Sequence, residues 1–255
     1  MKEGQASVTA QRVAAHRLTF DREPAPYGDP AADEGLARDV AGSVSAVSTE
    51  WMLRYLAART SFFDRVVVRS IEGGMRQVVI AAAGYDGRAL RYAKPGVAWF
   101  ELDHPDTQRD KRERLERLDI DASGVTFVAA DFDVDDIAAA MADAGHDKVV
   151  PSLILCEGVA VYLAESVLES LLRGVRAIAA PGSCLAISMS VDTGAPDLAA
   201  RRQAFGAAVA AMGEPARTVL TRDGASALFE RTGWHPRSAT SDGARRAGLV
   251  LAEPA

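Results

Sequence analysis

Gln77–Asp103, QVVIAAAGYDGRALRYAKPGVAWFELD, reads as strand, tight turn, helix and second strand. Gln77–Ala83 is a short apolar run with β-branched Val78, Val79 and Ile80, the composition of a strand buried on both faces. Gly84 follows where the chain turns sharply and a ligand can approach the backbone. Asp86 is placed to cap a helix carrying Ala89, Leu90 and Tyr92. Lys94-Pro95-Gly96 ends that helix, and Val97–Leu102 is a second apolar run closing on Asp103. Asp103 lies about 20 residues beyond the turn, the spacing at which an acid on the second strand of a βαβ unit meets ribose hydroxyls. The layout predicts an adenosine-containing ligand.

The turn itself argues against a dinucleotide. A pyrophosphate needs glycines at three fixed places and a helix N-terminus free of negative charge. Ala82-Ala83-Gly84-Tyr85-Asp86-Gly87 instead places a carboxylate there. It would repel phosphate but tolerate the sulfonium and amino end of S-adenosylmethionine.

Outward from this unit the strands and helices alternate. Pro105 opens a helix to about Leu118, Val125–Ala130 is a third strand, and Asp133 or Asp135 is placed to cap a helix over Ile137–Ala144. Ser152–Cys156 is a fourth strand, followed by a helix over Glu165–Ala179 and a fifth strand over Ser183–Ser190. Helical stretches at Asp197–Met212 and Thr221–Thr232 precede short strands around His235–Ala239 and Gly248–Ala252. Before the sheet, helical patterns cover Val13–Phe20, Ala31–Val40 and Ser43–Arg59, the last running on through Phe62, Phe63 and Val67 to Ile71; residues 1–13 read as frayed. The predicted architecture is an α/β, Rossmann-like doubly wound, mostly parallel seven-stranded sheet, with an antiparallel hairpin near its end. Residues 1–75 form an N-terminal helical cap and residues 76–255 the core.

In such sheets ligands bind beyond the carboxyl ends of the strands. Asp86, Asp103, Asp131 and Glu157 stand at four successive strand tips, more than helix capping alone explains, although Asp86 reads equally as a cap. At these residues the chain resembles the leucine carboxyl methyltransferase-like family of class I S-adenosylmethionine-dependent methyltransferases. The family's GAGxDxR turn corresponds to Ala82 through Arg88. Its ExDHPxTQxxKRxxL stretch corresponds to Glu101, Asp103, His104, Pro105, Thr107, Gln108, Lys111, Arg112 and Leu115. Asp131-Phe132 and Glu157-Gly158 with Tyr162-Leu163 follow in order, and Arg59-Thr60 with Asp64 resembles its RTxxxD. Ala82 stands where many members have Gly, and Gly87 replaces a frequent Thr or Ser.

The resemblance implies S-adenosyl-L-methionine as cofactor and S-adenosyl-L-homocysteine as product, held around Ala82 and Gly84. It implies Asp103 on the ribose, Asp131 accepting from the adenine amino group, and Phe132 packing the ring. Glu157 would hold the methionine amino group and Arg59 its carboxylate, although Arg59 also reads as a helix-surface arginine. Arg88 reads alternatively as a structural partner for an acid near the turn. His104 is structural or lies near the ribose. Tyr162 is the candidate for touching substrate, with simple packing as its alternative. No histidine stands out as a base, which favours a carboxylate or an acidic hydroxyl as acceptor, with a carboxylate slightly preferred and a phenol or other hydroxyl as the alternative. The implied activity is O-methylation of a small molecule in bacterial specialised metabolism, such as polyketide tailoring or antibiotic biosynthesis. The rival readings are an NAD(P)-dependent oxidoreductase and a cofactor-binding protein without turnover.

Bulk properties fit one well-buried domain: 255 residues, 48% of them hydrophobic, with a net charge of −6. That charge argues against a general nucleic-acid binder. The basic cluster Arg109–Arg117 alternates with acids at helical spacing and reads as a solvated helix face. No run of about 18 apolar residues suggests a membrane span, and the N-terminus lacks the apolar core of a secretory signal, so a cytoplasmic enzyme is expected. Cys156 and Cys184 read as buried thiols. No metal-ligand spacing is visible.

Overall fold

The computed structural model describes residues 4–45, 48–192, 194–237 and 248–255. Its centre is β1 (Gln77–Ala81), every residue of which is buried. It pairs in parallel with β2 (Ala98–Asp103) on one side and with β4 (Ser152–Cys156) on the other. β3 (Val125–Ala129) lies outside β2, and β5 (Cys184–Ser188) lies outside β4. The last two strands, β8 (Trp234–Pro236) and β9 (Leu249–Pro254), form the expected antiparallel pair. β9 inserts between β5 and β8, giving the seven-stranded order β3-β2-β1-β4-β5-β9-β8. Strand order reverses between β1 and β4, which opens a crevice at their carboxyl ends.

The period-2 alternation of β1 divides the core. Val79 and Ala81 face a layer with Ile154, Leu168, Leu172 and Trp234. Val78 and Ile80 face the other layer, with Phe63, Val67, Trp99 and Leu155. The first layer is covered by α6 (Ile137–Asp143), α7 (Glu165–Ala177) and α9 (Arg222–Arg231); the second is covered by α3 (Glu50–Glu72). A third apolar cluster, with Ala14, Leu36, Tyr85 and Leu115, joins α1 (Val8–Arg17), α2 (Pro30–Ala41) and α5 (Pro105–Arg117) beside the crevice.

Several boundaries move for local reasons. α1 begins at Val8 rather than Val13, because Ser7 caps it, its hydroxyl accepting from Ala10 N at 3.1 Å. α3 begins at Glu50; Ser43–Ser45 and Ser48–Thr49 are not helical, and Val47 lies outside the described residues. β1 stops at Ala81 because Ala82 swings to φ 56°. Asp86 is not the cap of the next helix: Gly87 holds that position before α4 (Arg88–Arg91), while the Asp86 carboxylate accepts from Arg88 N at 2.8 Å. Asp136 caps α6, its carboxylate accepting from Ala138 N and Ala139 N at 2.9 and 3.1 Å, where Asp133 or Asp135 was expected. The helix at 196–211 is α8 (Pro196–Ala211), and β6 (Val191–Asp192) pairs with β7 (Leu220–Thr221) in a separate two-stranded sheet. Of the predicted strand His235–Ala239, Ala239 lies outside the described residues.

The basic face of α5 is not wholly solvated. Lys111 is buried and donates to Glu101 and to the carbonyl of Asp86, at 2.5 and 2.6 Å. Arg114 is also buried, reaching Asp39 and Asp110. Helical spacing cannot distinguish this inward lysine from its outward neighbours, because the carboxylate that draws it in, Glu101, sits on a strand. Burial pushes the Glu101 carboxyl up to about 7, against the pull of Lys111. Both cysteines are buried and free. Among the described residues no helix is long and apolar enough to cross a membrane.

Candidate functional site

A cleft of about 340 Å³ opens at the carboxyl ends of β1, β2, β3 and β4. All ten residues singled out in the sequence line it: Arg59, Ala82, Gly84, Asp86, Asp103, His104, Asp131, Phe132, Glu157 and Tyr162.

The floor is the turn after β1. Ala82 is a non-glycine residue in the left-handed region, at φ 56°, so its methyl group carries strain of about 1–2 kcal/mol. Ala82→Gly is expected to stabilise the fold by about 0.5–1 kcal/mol, the relief exceeding the extra freedom of the unfolded glycine chain. A urea midpoint that does not rise would show the turn to be unstrained. Gly84 has φ 51°, and a Cβ there would approach the Ala10 side chain of α1 to 2.9 Å. Gly87 is crowded for a different reason: a Cβ there would meet an Asp33 oxygen at 2.0 Å, so the Thr or Ser common at this place would force the Asp33 side chain to move.

Asp103, at the tip of β2, clamps the turn. One oxygen accepts from Gly84 N and the other from His104 N, the latter at 2.6 Å. Burial pushes its carboxyl upward, opposed by these two N–H groups. His104 is the N-cap of α5, its Nδ1 accepting from Asp106 N at 3.3 Å. Its predicted structural role is therefore occupied, and the ring still borders the cleft. At the tip of β3, Asp131 Oδ1 accepts from Asp133 N at 3.0 Å. Its Oδ2 has no partner among the described residues. Phe132 packs against the core layer of β1 from its position on the cleft wall.

Beyond β4 the site becomes ionic. Glu157 receives three guanidiniums: Arg59 Nε at 2.9 Å, Arg17 Nη2 at 3.1 Å and Arg88 Nη1 at 2.5 Å. Burial alone would raise its carboxyl, but Arg88, Arg17 and Arg59 outweigh that and hold it well below the usual range. Asp86 is lowered in the same way, burial opposed by Arg17 and Arg88. Arg88 is wholly buried and also donates to Asp64 at 2.7 Å, so its structural reading holds. Arg59 is buried rather than on a helix surface, with its guanidinium over the Tyr55 ring at 5.7 Å. Gly158, at φ 72°, leaves it room: a Cβ there would lie 3.1 Å from Arg59 Nη1.

Two residues of the cleft had no signal in the sequence. Arg17 sits in a helix rich in Ala and Arg, where nothing distinguishes it from Arg12; in the fold it is buried and reaches Asp86 and Glu157. Glu214 follows α8 and grips the first turn of α1. It accepts from Ser7 Oγ at 2.9 Å, from Val8 N at 2.7 Å, from Thr9 N at 3.3 Å and from the Thr9 hydroxyl. α1 is thereby fastened over the cleft. Tyr162 lies beside this clasp, its ring 6.4 Å from Phe205 of α8, and burial pushes its hydroxyl up to about 12.

Residues 11–176 match the model of the leucine carboxyl methyltransferase family. A protein of Mycobacterium sp. (strain KMS) with the provisional name S-adenosyl-L-methionine-dependent methyltransferase is 36% identical over 213 residues, covering 76% of this chain and 71% of that one. One of Parafrankia sp. (strain EAN1pec), of the same provisional name, is 39% identical over 179 residues, covering 66% of this chain and 55% of that one. The fold is similar to that of the magnesium protoporphyrin IX methyltransferase of Synechocystis, solved with bound S-adenosylhomocysteine. The TM-score is 0.55 at 11% identity, covering 88% of this chain and 95% of that one. A turn built for close approach, acids at the strand tips and a matching family model agree, and the chain belongs to the leucine carboxyl methyltransferase family.

Proposed function

We propose that this protein transfers the methyl group of S-adenosyl-L-methionine to an oxygen of a small-molecule acceptor, a carboxylate in preference to a phenol or alcohol. The observation that carries the cofactor reading is the meeting, in one cleft, of strand-tip acids with buried guanidiniums on a turn shaped by Gly84. Asp103 would hold the ribose hydroxyls, and Oδ2 of Asp131, unpartnered among the described residues, would accept from the adenine amino group beside Phe132. Glu157 would face the methionine ammonium, and Arg59 its carboxylate, since a guanidinium forks onto a carboxylate. Arg17, reaching the same Glu157, is placed to share that carboxylate. Residues 1–75 act as a cap on the core of residues 76–255, a reading supported by the contact of α1 with Gly84 and by Arg59 on α3.

The chemistry supplied by the bound cofactor is a sulfonium methyl: the acceptor oxygen bonds to carbon as the carbon–sulfur bond breaks, and sulfur keeps the electron pair. The protein's part is to hold the acceptor in line, which accounts for several kcal/mol of such a barrier. The carboxylate preference rests on the shortage of a base. Among the described residues lining the cleft, His104 is the one histidine and already binds Asp106 N. Glu214 is saturated by four donors, and Tyr162 stays protonated near neutral pH. An ionised carboxylate needs no base. The oxidoreductase alternative gains no support from a turn that carries Asp86 beside Glu157. An aromatic acceptor in bacterial specialised metabolism, such as polyketide tailoring, is consistent with Tyr162 and Phe205.

Incubation with methyl-labelled S-adenosylmethionine and a panel of carboxylic acids, phenols and alcohols tests this. Label is expected in base-labile methyl esters. Label confined to amines or carbon would overturn oxygen transfer, and label confined to phenols would overturn the carboxylate preference.

A further inference from the structure

Among the described residues three arginines line the cleft, and two of them, Arg17 and Arg59, are engaged with Glu157. Arg217 differs. It is exposed on the wall of the cleft, and its guanidinium has no hydrogen-bond or ion-pair partner among the described residues. Its backbone is nonetheless fixed. Arg217 N donates to Val161 O at 2.7 Å, and Thr218 N donates to the same carbonyl at 3.2 Å. The buried Thr218 hydroxyl donates to Leu163 O at 2.5 Å, and Leu220 then enters β7. The loop carrying Arg217 is thus stitched to the segment bearing Tyr162. A long cation on a rigid mount, kept out of ion pairs in a chain with more acids than bases, is suited to an external anion.

Its surroundings narrow the anion further. Of the lining residues nearest in sequence, Pro215 is apolar and the Glu214 carboxylate is taken up by Ser7, Val8 and Thr9. In the segment to which the loop is stitched, Val159, Tyr162 and Leu163 are apolar or aromatic, and Phe205 backs the Tyr162 ring. A free phosphate would gain nothing from such a wall, whereas a planar ring bearing a carboxylate would use both features.

We infer that Arg217 binds the carboxylate of an aromatic acid acceptor, with its ring against Tyr162. The inference rests on the methyltransferase reading above and adds to it the acceptor class and the residue that selects it.

Ligand-observed NMR on the full chain saturated with S-adenosylhomocysteine tests it, using aromatic carboxylic acids each matched with its primary amide. Wild type is expected to retain acids over amides. Arg217→Ala should weaken acid binding about tenfold, the scale of a hydrogen bond to a charged group. Arg217→Lys should recover part of that loss, and amide binding should not change. Equal acid binding in wild type and Arg217→Ala, preference for amides, or no binding of any acid to the loaded wild type would overturn the assignment. Calorimetry with S-adenosylhomocysteine on the same samples separates the two readings. Unchanged cofactor affinity with no acid selectivity sinks only the role of Arg217, whereas absent cofactor binding sinks the methyltransferase reading itself.

Discussion

Asp103→Ala is expected to weaken binding of S-adenosylhomocysteine by at least about 100-fold, on the order of 3 kcal/mol. That is the scale for removing one partner of a buried charged hydrogen-bond set. Two losses combine. The carboxylate that would meet the ribose hydroxyls disappears, and so does the acceptor that holds Gly84 N and His104 N in place. Asp103→Asn keeps one acceptor oxygen and should fall between the two. Calorimetric titration of wild type and both variants, with NADH as comparator, reads this directly. Wild-type affinity in Asp103→Ala would remove the residue from the site, and binding of NADH in place of S-adenosylhomocysteine would remove the cofactor assignment.

Arg88→Leu should be the most damaging single change to the fold. The guanidinium is fully buried and bridges Asp64, Asp86 and Glu157, with a further bond to Thr60 O at 3.3 Å and the Phe63 ring beneath it at 5.6 Å. Leucine leaves three buried carboxylates with one fewer cation: Arg22 remains on Asp64, and Arg17 and Arg59 remain near Glu157. Breaking a buried pair by removing one partner costs about 3–5 kcal/mol, a large part of a typical stability of about 5–15 kcal/mol. The Arg54–Glu50 pair of α3, exposed at 78% on both sides, is the control. Its loss should leave the urea midpoint almost in place. A loss below about 1 kcal/mol for Arg88→Leu would mean that water or side-chain shifts replace the guanidinium.

The contrast between these two residues shows what the chain reveals when read in one dimension. Asp103 is legible because strand, turn, helix and strand follow one another without interruption, so its place at a strand tip is local information. Asp131 and Glu157 are legible for the same reason. Arg59 and Arg88 are legible through motif resemblance, and a turn acid as partner for Arg88 is legible too. The joint convergence of Asp64, Asp86 and Glu157 is hidden until α3, the turn and β4 are folded together. Arg17 and Glu214 lack any pattern at all, since each acts on a residue far away in the chain. Lys111 was misread because periodicity records the spacing of charges and not the acid on β2 that draws one of them inward.

The Glu214 clasp also orders events in time. Its bond to Val8 N spans 206 residues. α1 is made long before the loop after α8. Ala14 and Arg17 tie the helix to the cluster with α2 and α5 and to Asp86 and Glu157, but its first turn stays unclasped until that loop has been made. Closing so long a loop is entropically unfavourable, and the clasp itself consists of four hydrogen bonds. The first turn of α1 is therefore expected to be clasped late and to open early, its amides exchanging with deuterated water sooner than those of β1. Ala10 of α1 lies against Gly84, so opening of the helix's first turn is expected to give a nucleoside a way in and out while the sheet stays intact.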